Sequence, residues 1–176
     1  MTERLPARHW LIVGLMGSGK TTVGALLAKR AGRIFVDNDQ ALFEMTGRTA
    51  RELRQELGTS GLHRIERRAI RAALARTGPA VIAAAASVVD DPETRELMEG
   101  LACVAWLDVP SAVLATRVTA QGHRPLTIAP RRQLEAQRAA REPLFAAVAD
   151  IVVDGCASPA EIVDDLLPRL RDCRAG

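Results

Sequence analysis

Trp10-Leu11-Ile12-Val13-Gly14-Leu15-Met16-Gly17-Ser18-Gly19-Lys20-Thr21-Thr22-Val23-Gly24 joins a short apolar run to a glycine-rich turn and then to a segment of helical period. Gly14 to Thr21 fit the spacing G-x-x-x-x-G-K-[ST], and strand, loop, helix is the context in which that spacing has a mechanism. The glycines let successive backbone N–H groups turn inward on phosphate oxygens, and the helix start adds its positive partial charge. Lys20 is placed to reach the β- and γ-phosphates of ATP, and the Thr21 hydroxyl to bind Mg²⁺. Gly17, Ser18, Gly19, Lys20, Thr21 and Thr22 are therefore the candidate nucleotide-binding residues. Lysine occurs in the chain only as Lys20 and Lys29, so a chance match to this spacing has a probability of roughly one in a thousand.

The rest of the chain repeats the alternation. Apolar runs predict five buried strands, Trp10 to Val13, Ile34 to Val36, Ala80 to Ala84, Ala102 to Leu107 and Ile151 to Val153. Helices are expected at Lys20 to Ala31, Gln40 to Met45, Ala50 to Leu57, Leu62 to Arg76, Pro92 to Glu99, Ser111 to Val118, Arg132 to Val148 and Pro159 to Arg171. Thr49 and Ser158 precede two of them as N-caps, the second followed by proline at the first helical position. Such βα units predict an α/β fold with a parallel sheet covered on both faces. Thr119 to Arg131, with Gly122, Pro125 and Pro130 among basic residues, is expected to form a mobile lid.

Composition bounds the function. A chain of 176 residues is sized for one domain spanning 1–176, and 48% hydrophobic with 26% charged residues excludes disorder as its main state. A net charge of +3 without any basic block, and 3% aromatics with no tyrosine, exclude nucleic acid as the expected partner. Cys103, Cys156 and Cys173 lack metal-ligand spacing and are expected to be reduced thiols. No apolar run is long enough for a membrane span, so the expected location is the cytoplasm.

Among phosphate-loop proteins, a GTPase needs a lysine in its guanine motif, which Lys29 is too early to supply, and transport ATPases need a longer chain. A kinase for a small molecule or nucleotide remains. The second strand ends in Asp37-Asn38-Asp39, at the strand edge where open α/β sheets put their ligands, and is expected beside the strand that feeds the phosphate loop. Asp37 can hold Mg²⁺ through a water or cap the next helix; Asp39 can accept the proton of an acceptor hydroxyl.

At this point the sequence resembles the shikimate kinase family. The resemblance rests on Gly14 to Gly24, Phe35-Val36-Asp37-Asn38-Asp39, Thr46-Gly47, Trp106-Leu107-Asp108-Val109-Pro110, Arg124-Pro125-Leu126, Arg141-Glu142-Pro143-Leu144-Phe145 and Val148-Ala149-Asp150. It implies a three-layer sandwich around a five-stranded parallel sheet in nucleoside-monophosphate-kinase order, with a lid, and an ATP- and Mg²⁺-dependent kinase whose partner is a small-molecule acceptor. It further implies that Asp39 activates the acceptor hydroxyl, Arg117 stacks on adenine, Arg124 reaches the phosphates from the lid, and Arg141 holds the acceptor's carboxylate.

The departures cluster on the acceptor. His63 stands where the resemblance expects a second carboxylate-binding arginine, a group neutral at pH 7 in place of a permanent charge, and it is expected to charge near pH 6. Ala85-Ala86-Ser87 stand for three glycines, at positions expected to favour positive φ or close ligand approach. Arg54 replaces an aromatic residue of the acceptor pocket. The expected reaction is phosphorylation of a hydroxyl of shikimate by a monomeric enzyme. The alternatives are a related cyclic or sugar acid as acceptor, or a nucleotide-binding protein without kinase activity.

Overall fold

The computed structural model describes residues 8–121 and 130–173. The apolar run that precedes the glycine loop is the central strand β1 (His9–Val13), of which every residue is buried. It pairs in parallel on one side with β3 (Ala80–Ala83) and on the other with β4 (Ala102–Asp108), while β2 (Ile34–Asp37) and β5 (Ile151–Asp154) complete the order β2-β3-β1-β4-β5. Side chains that alternate along the strands divide the core in two. Leu11, Val13, Ile82, Val104 and Trp106 pack on one face with Ile70, Met98, Leu134 and Phe145, and Trp10, Ile12, Val81 and Ala105 pack on the other with Leu27, Ile162 and Leu166. The helices that cover these faces are α3 (Ala50–Leu74), α4 (Pro92–Leu101) and α6 (Pro130–Val148) on the first, and α1 (Lys20–Ala31) and α7 (Pro159–Asp172) on the second. The three-layer α/β sandwich is therefore as expected.

Helix starts follow local chemistry. Thr49 and Ser158 each close a capping box, with Glu52 and Glu161 returning the bond. Asp91 caps α4 ahead of Pro92, and its carboxyl is pulled down to about 2, first by the Thr94 hydroxyl and also by Arg71. The two helices expected between residues 50 and 76 run into one another, with a sharp break at Gly58, whose φ of 69° suits glycine.

Two expectations need correction. The strand β2 is not beside β1, because β3 lies between them; α1 returns the chain across β3 before β2 forms. Cys103 and Cys173 are not free thiols but form a disulfide that ties the end of α7 to β4, leaving Cys156 as the free cysteine, exposed. His9, which carries no motif, is buried, and its Nδ1 accepts the Ala80 N–H at 3.2 Å. A 3-10 turn at Ala86–Asp90, between β3 and α4, had no sequence signal and becomes part of the site below.

Candidate active site

Register aligns the C-terminal edge of the sheet. Ala83 lies opposite both Asp37 and Ile12, and Val13 opposite Trp106, so the glycine loop, the start of α2 (Asn38–Thr46) and the chain after β3 all leave from one edge. Because β1 connects to β2 past β3, and β3 to β4 past β1, this edge contains the point where strand order reverses, the usual ligand crevice of open sheets.

The glycine loop is tightly built. A Cβ at Gly14, whose φ is 149°, would sit 2.8 Å from Ser18 Oγ and 2.9 Å from the Leu107 carbonyl. The Ser18 N–H donates to the Leu15 carbonyl at 3.2 Å. Lys20 is the half-buried first residue of α1; its Nζ donates to the carbonyls of Gly14 and Leu15, each at 2.9 Å, and so arches over the loop. Gly19 starts α1 with φ 95° and without a side-chain cap, and no acidic residue occupies the first turn. That helix end suits a phosphate, whose oxygens take the uncapped N–H groups. Ser18 Oγ is buried without a hydrogen-bond partner among the described residues.

Thr21 Oγ1 donates to Asp37 Oδ2 at 2.7 Å. The other oxygen of the same carboxylate accepts the N–H groups of Asp39, at 2.9 Å, and Gln40, at 3.4 Å. Asp37 thus serves as the N-cap of α2, and its other oxygen faces the loop threonine. A hydroxyl and a carboxylate are hard oxygen donors and fit Mg²⁺. At the far side of the loop, Arg117 on α5 (Ser111–Gln121) donates to the Gly155 carbonyl at 2.9 Å, which fixes it against the turn after β5.

On the acceptor side, Asp39 is exposed in the first turn of α2, and among the described residues its carboxylate has no polar partner. Arg141 on α6 is only 13% exposed and meets Asp90 with a two-pronged ion pair, Nε to Oδ1 at 2.9 Å and Nη2 to Oδ2 at 2.7 Å. The sequence reading did not find Asp90. His63 on α3 is half-buried, and burial first, then the Arg141 charge, hold its pKa below the usual 6.5; Asp90 opposes them, and Arg67 and Arg54 add to the lowering. His63 is therefore neutral at pH 7, and its charging lies on the acid side of the ordinary 6.5. Arg54 is exposed on the same helix.

The alanines need no strained backbone. Ala85 has φ −63°, and among the described residues no residue other than glycine has positive φ, which corrects that expectation. Ser87 is buried and its hydroxyl donates to the buried Glu66 carboxylate, so the serine provides that acid with a partner. Arg138 was also missed by the sequence reading. It bonds Asp108 at 2.8 Å, Glu142 at 3.0 Å and the Val109 carbonyl at 2.6 Å, and so fastens α6 to the end of β4. Arg124 and residues 122–129 of the expected lid lie outside the described residues.

The profile of the shikimate kinase family matches residues 16–171. A shikimate kinase of Psychrobacter arcticus is 36% identical over 173 residues, 97% of this chain and 91% of its own. One from Aromatoleum aromaticum is 37% identical over 147 residues, 82% of this chain and 83% of its own. Among solved structures, the shikimate kinase from Acinetobacter baumannii in complex with shikimate superposes with a TM-score of 0.87 at 26% identity, covering 94% of this chain and 93% of its own. A gluconokinase from Sinorhizobium meliloti shares the fold alone, with a TM-score of 0.67 at 21% identity over 96% of this chain and 94% of its own.

Proposed function

The chain belongs to the shikimate kinase family, and from that premise we propose that it transfers the γ-phosphoryl group of ATP to a hydroxyl of shikimate. It is an ATP-dependent small-molecule kinase; the acceptor and the residue roles are our reading. The observation that supports it most is the pairing at the sheet edge of a carboxylate bonded to the loop threonine, Asp37, with a second carboxylate two residues on, Asp39, that has no polar partner among the described residues. The likeness to a kinase solved with shikimate adds to it.

In this reading the glycine loop and Lys20 hold the β- and γ-phosphates, and Arg117 lies against adenine. Asp39 accepts the proton of the shikimate hydroxyl as its oxygen bonds to the γ-phosphorus and the bridge to the β-phosphate breaks, releasing ADP. Arg141 takes the shikimate carboxylate, with His63 and Arg54 beside it, and Arg124 reaches the transferring group. Thr21 and Asp37 would hold Mg²⁺, which neutralises phosphate charge when bound. The enzyme works as a monomer in the cytoplasm, without a nucleic-acid partner.

A coupled ADP-release assay over shikimate, quinate and gluconate tests the reading. Shikimate-dependent turnover is expected. Turnover with another acid and none with shikimate would replace the acceptor, and ATP binding without turnover on any acceptor would overturn the kinase.

A further inference from the structure

The side chain assigned to the acceptor's carboxylate already holds a carboxylate. Both oxygens of Asp90 lie on the Arg141 guanidinium, at 2.9 and 2.7 Å, in the two-pronged geometry that this fork offers to any carboxylate. The arginine is 13% exposed, so the pair is largely withdrawn from water on that side, whereas Asp90 is 37% exposed and can turn outward. It sits on the last residue of the 3-10 turn that follows Ala85, the segment that replaces the glycines of the acceptor site.

Two of the other cations nearby are already engaged. Arg67 and Arg71 face Asp91, at 3.8 and 2.7 Å, and Arg71 also reaches Glu93 at 3.0 Å. His63 looks onto Arg141, Asp90, Arg67 and Arg54 together and is held neutral by burial and those positive charges. Arg54, exposed, is the remaining permanent cation facing this group.

We propose that Asp90 is a specificity-determining residue of the acceptor site: its carboxylate is an internal competitor for the Arg141 fork, which an acceptor's carboxylate must displace in order to bind. This rests on Arg141 being the acceptor's anchor. An acceptor bearing a carboxylate is then bound more weakly than the arginine alone allows, because apparent affinity is reduced by the fraction of sites in which the fork is open. A neutral polyol makes no such demand, so Asp90 narrows the advantage of an acid over its uncharged analogue.

The opposite role would be a positioning one, in which Asp90 merely holds Arg141 in place. The two differ in sign. If Asp90 competes, Asp90→Asn and Asp90→Ala lower KM for shikimate, by on the order of tenfold for one charge-assisted contact released, with KM for ATP as the reference. If Asp90 positions, both variants raise KM for shikimate.

The test is steady-state kinetics of the full chain and both variants, varying shikimate and then ATP, with calorimetric titration of shikimate and a thermal melt to establish that each variant is folded. The carboxamide of shikimate is run in parallel, and its preference relative to the acid should shift toward the acid in both variants. Tighter shikimate binding in the folded variants supports the proposal with or without turnover. A parent that turns over shikimate while the variants show an unchanged or raised KM overturns the role of Asp90 and leaves the acceptor standing. Absence of shikimate binding in all three proteins overturns the acceptor, and the competitor with it.

Discussion

Thr21 Oγ1 and Asp37 Oδ2 stand 2.7 Å apart, and this bond joins the first turn of α1 to the cap of α2, two helix starts whose strands are not neighbours in the sheet. One carboxylate therefore caps a helix and ties it to the glycine loop, where the proposed function also gives it the metal. Asp37→Asn keeps an acceptor for the cap but removes the charge, so the free Mg²⁺ giving half-maximal turnover should rise by on the order of tenfold. Asp37→Ala should in addition lose about 0.5–2 kcal/mol of stability with the cap. An unchanged Mg²⁺ dependence of ADP release in Asp37→Asn would remove Asp37 from the metal site.

Lys20→Ala removes a donor that arches over the loop to two of its carbonyls. The expected loss in kcat is on the order of 10²-fold or more. Circular dichroism should report an intact fold, since the residue is at a helix start outside the core. Parent-like turnover in this variant would contradict the assignment of the loop.

Asp39→Asn keeps the shape of a side chain that no described residue engages. ATP affinity measured by calorimetry should stay close to the parent's, while turnover falls by about 10²–10⁴-fold, the usual worth of a general base. An equal loss of both would make Asp39 part of the nucleotide site.

The pH dependence follows from His63. Its folded-state pKa lies below the ordinary 6.5, so the unfolded chain binds more protons there. His63 then contributes stability that is present above about pH 6.5 and is lost as pH falls from that value through the folded pKa. KM for shikimate should stay flat from about pH 8 to about pH 6.5, and imidazole NMR should show His63 titrating below the ordinary 6.5. His63→Arg should lower KM at about pH 7.5 by roughly tenfold. A midpoint for His63 at or above the ordinary value would refute this.

Much of the architecture was legible because period and punctuation agree: the apolar runs at β1 to β5 gave strand positions to within one or two residues, and Thr49 and Ser158 announced their capping boxes. The proposed phosphate side could be read because its residues are contiguous from Gly14 to Thr22. The proposed acceptor side could not, since its residues come from α2, α3, the turn after β3 and α6. Asp90 precedes Asp91 and Pro92 and reads locally as part of a helix start; only the packing of α6 brings Arg141 to it across 51 positions. The disulfide was hidden for the same reason, with 70 residues between cysteines that carry no paired spacing.

That disulfide predicts its own measurement. Closing so long a segment should stabilise the oxidised form by about 2–4 kcal/mol through the unfolded chain. Cys173→Ser should therefore melt lower than the parent under oxidising conditions, and the difference should disappear when both are assayed with a reductant. Equal melting without reductant would mean that the bond does not form in solution.

The approach of Gly17 to α5 has a mechanical consequence. A Cβ at Gly17, with φ 84°, would lie 2.8 Å from Val118 Cγ2, so the loop rests on that helix with no slack between them. Interiors packed this closely transmit displacement instead of absorbing it. Any side chain placed at Gly17 would therefore have to push Val118 aside, so the seat of the glycine loop is set by the helix behind it as well as by its own glycines.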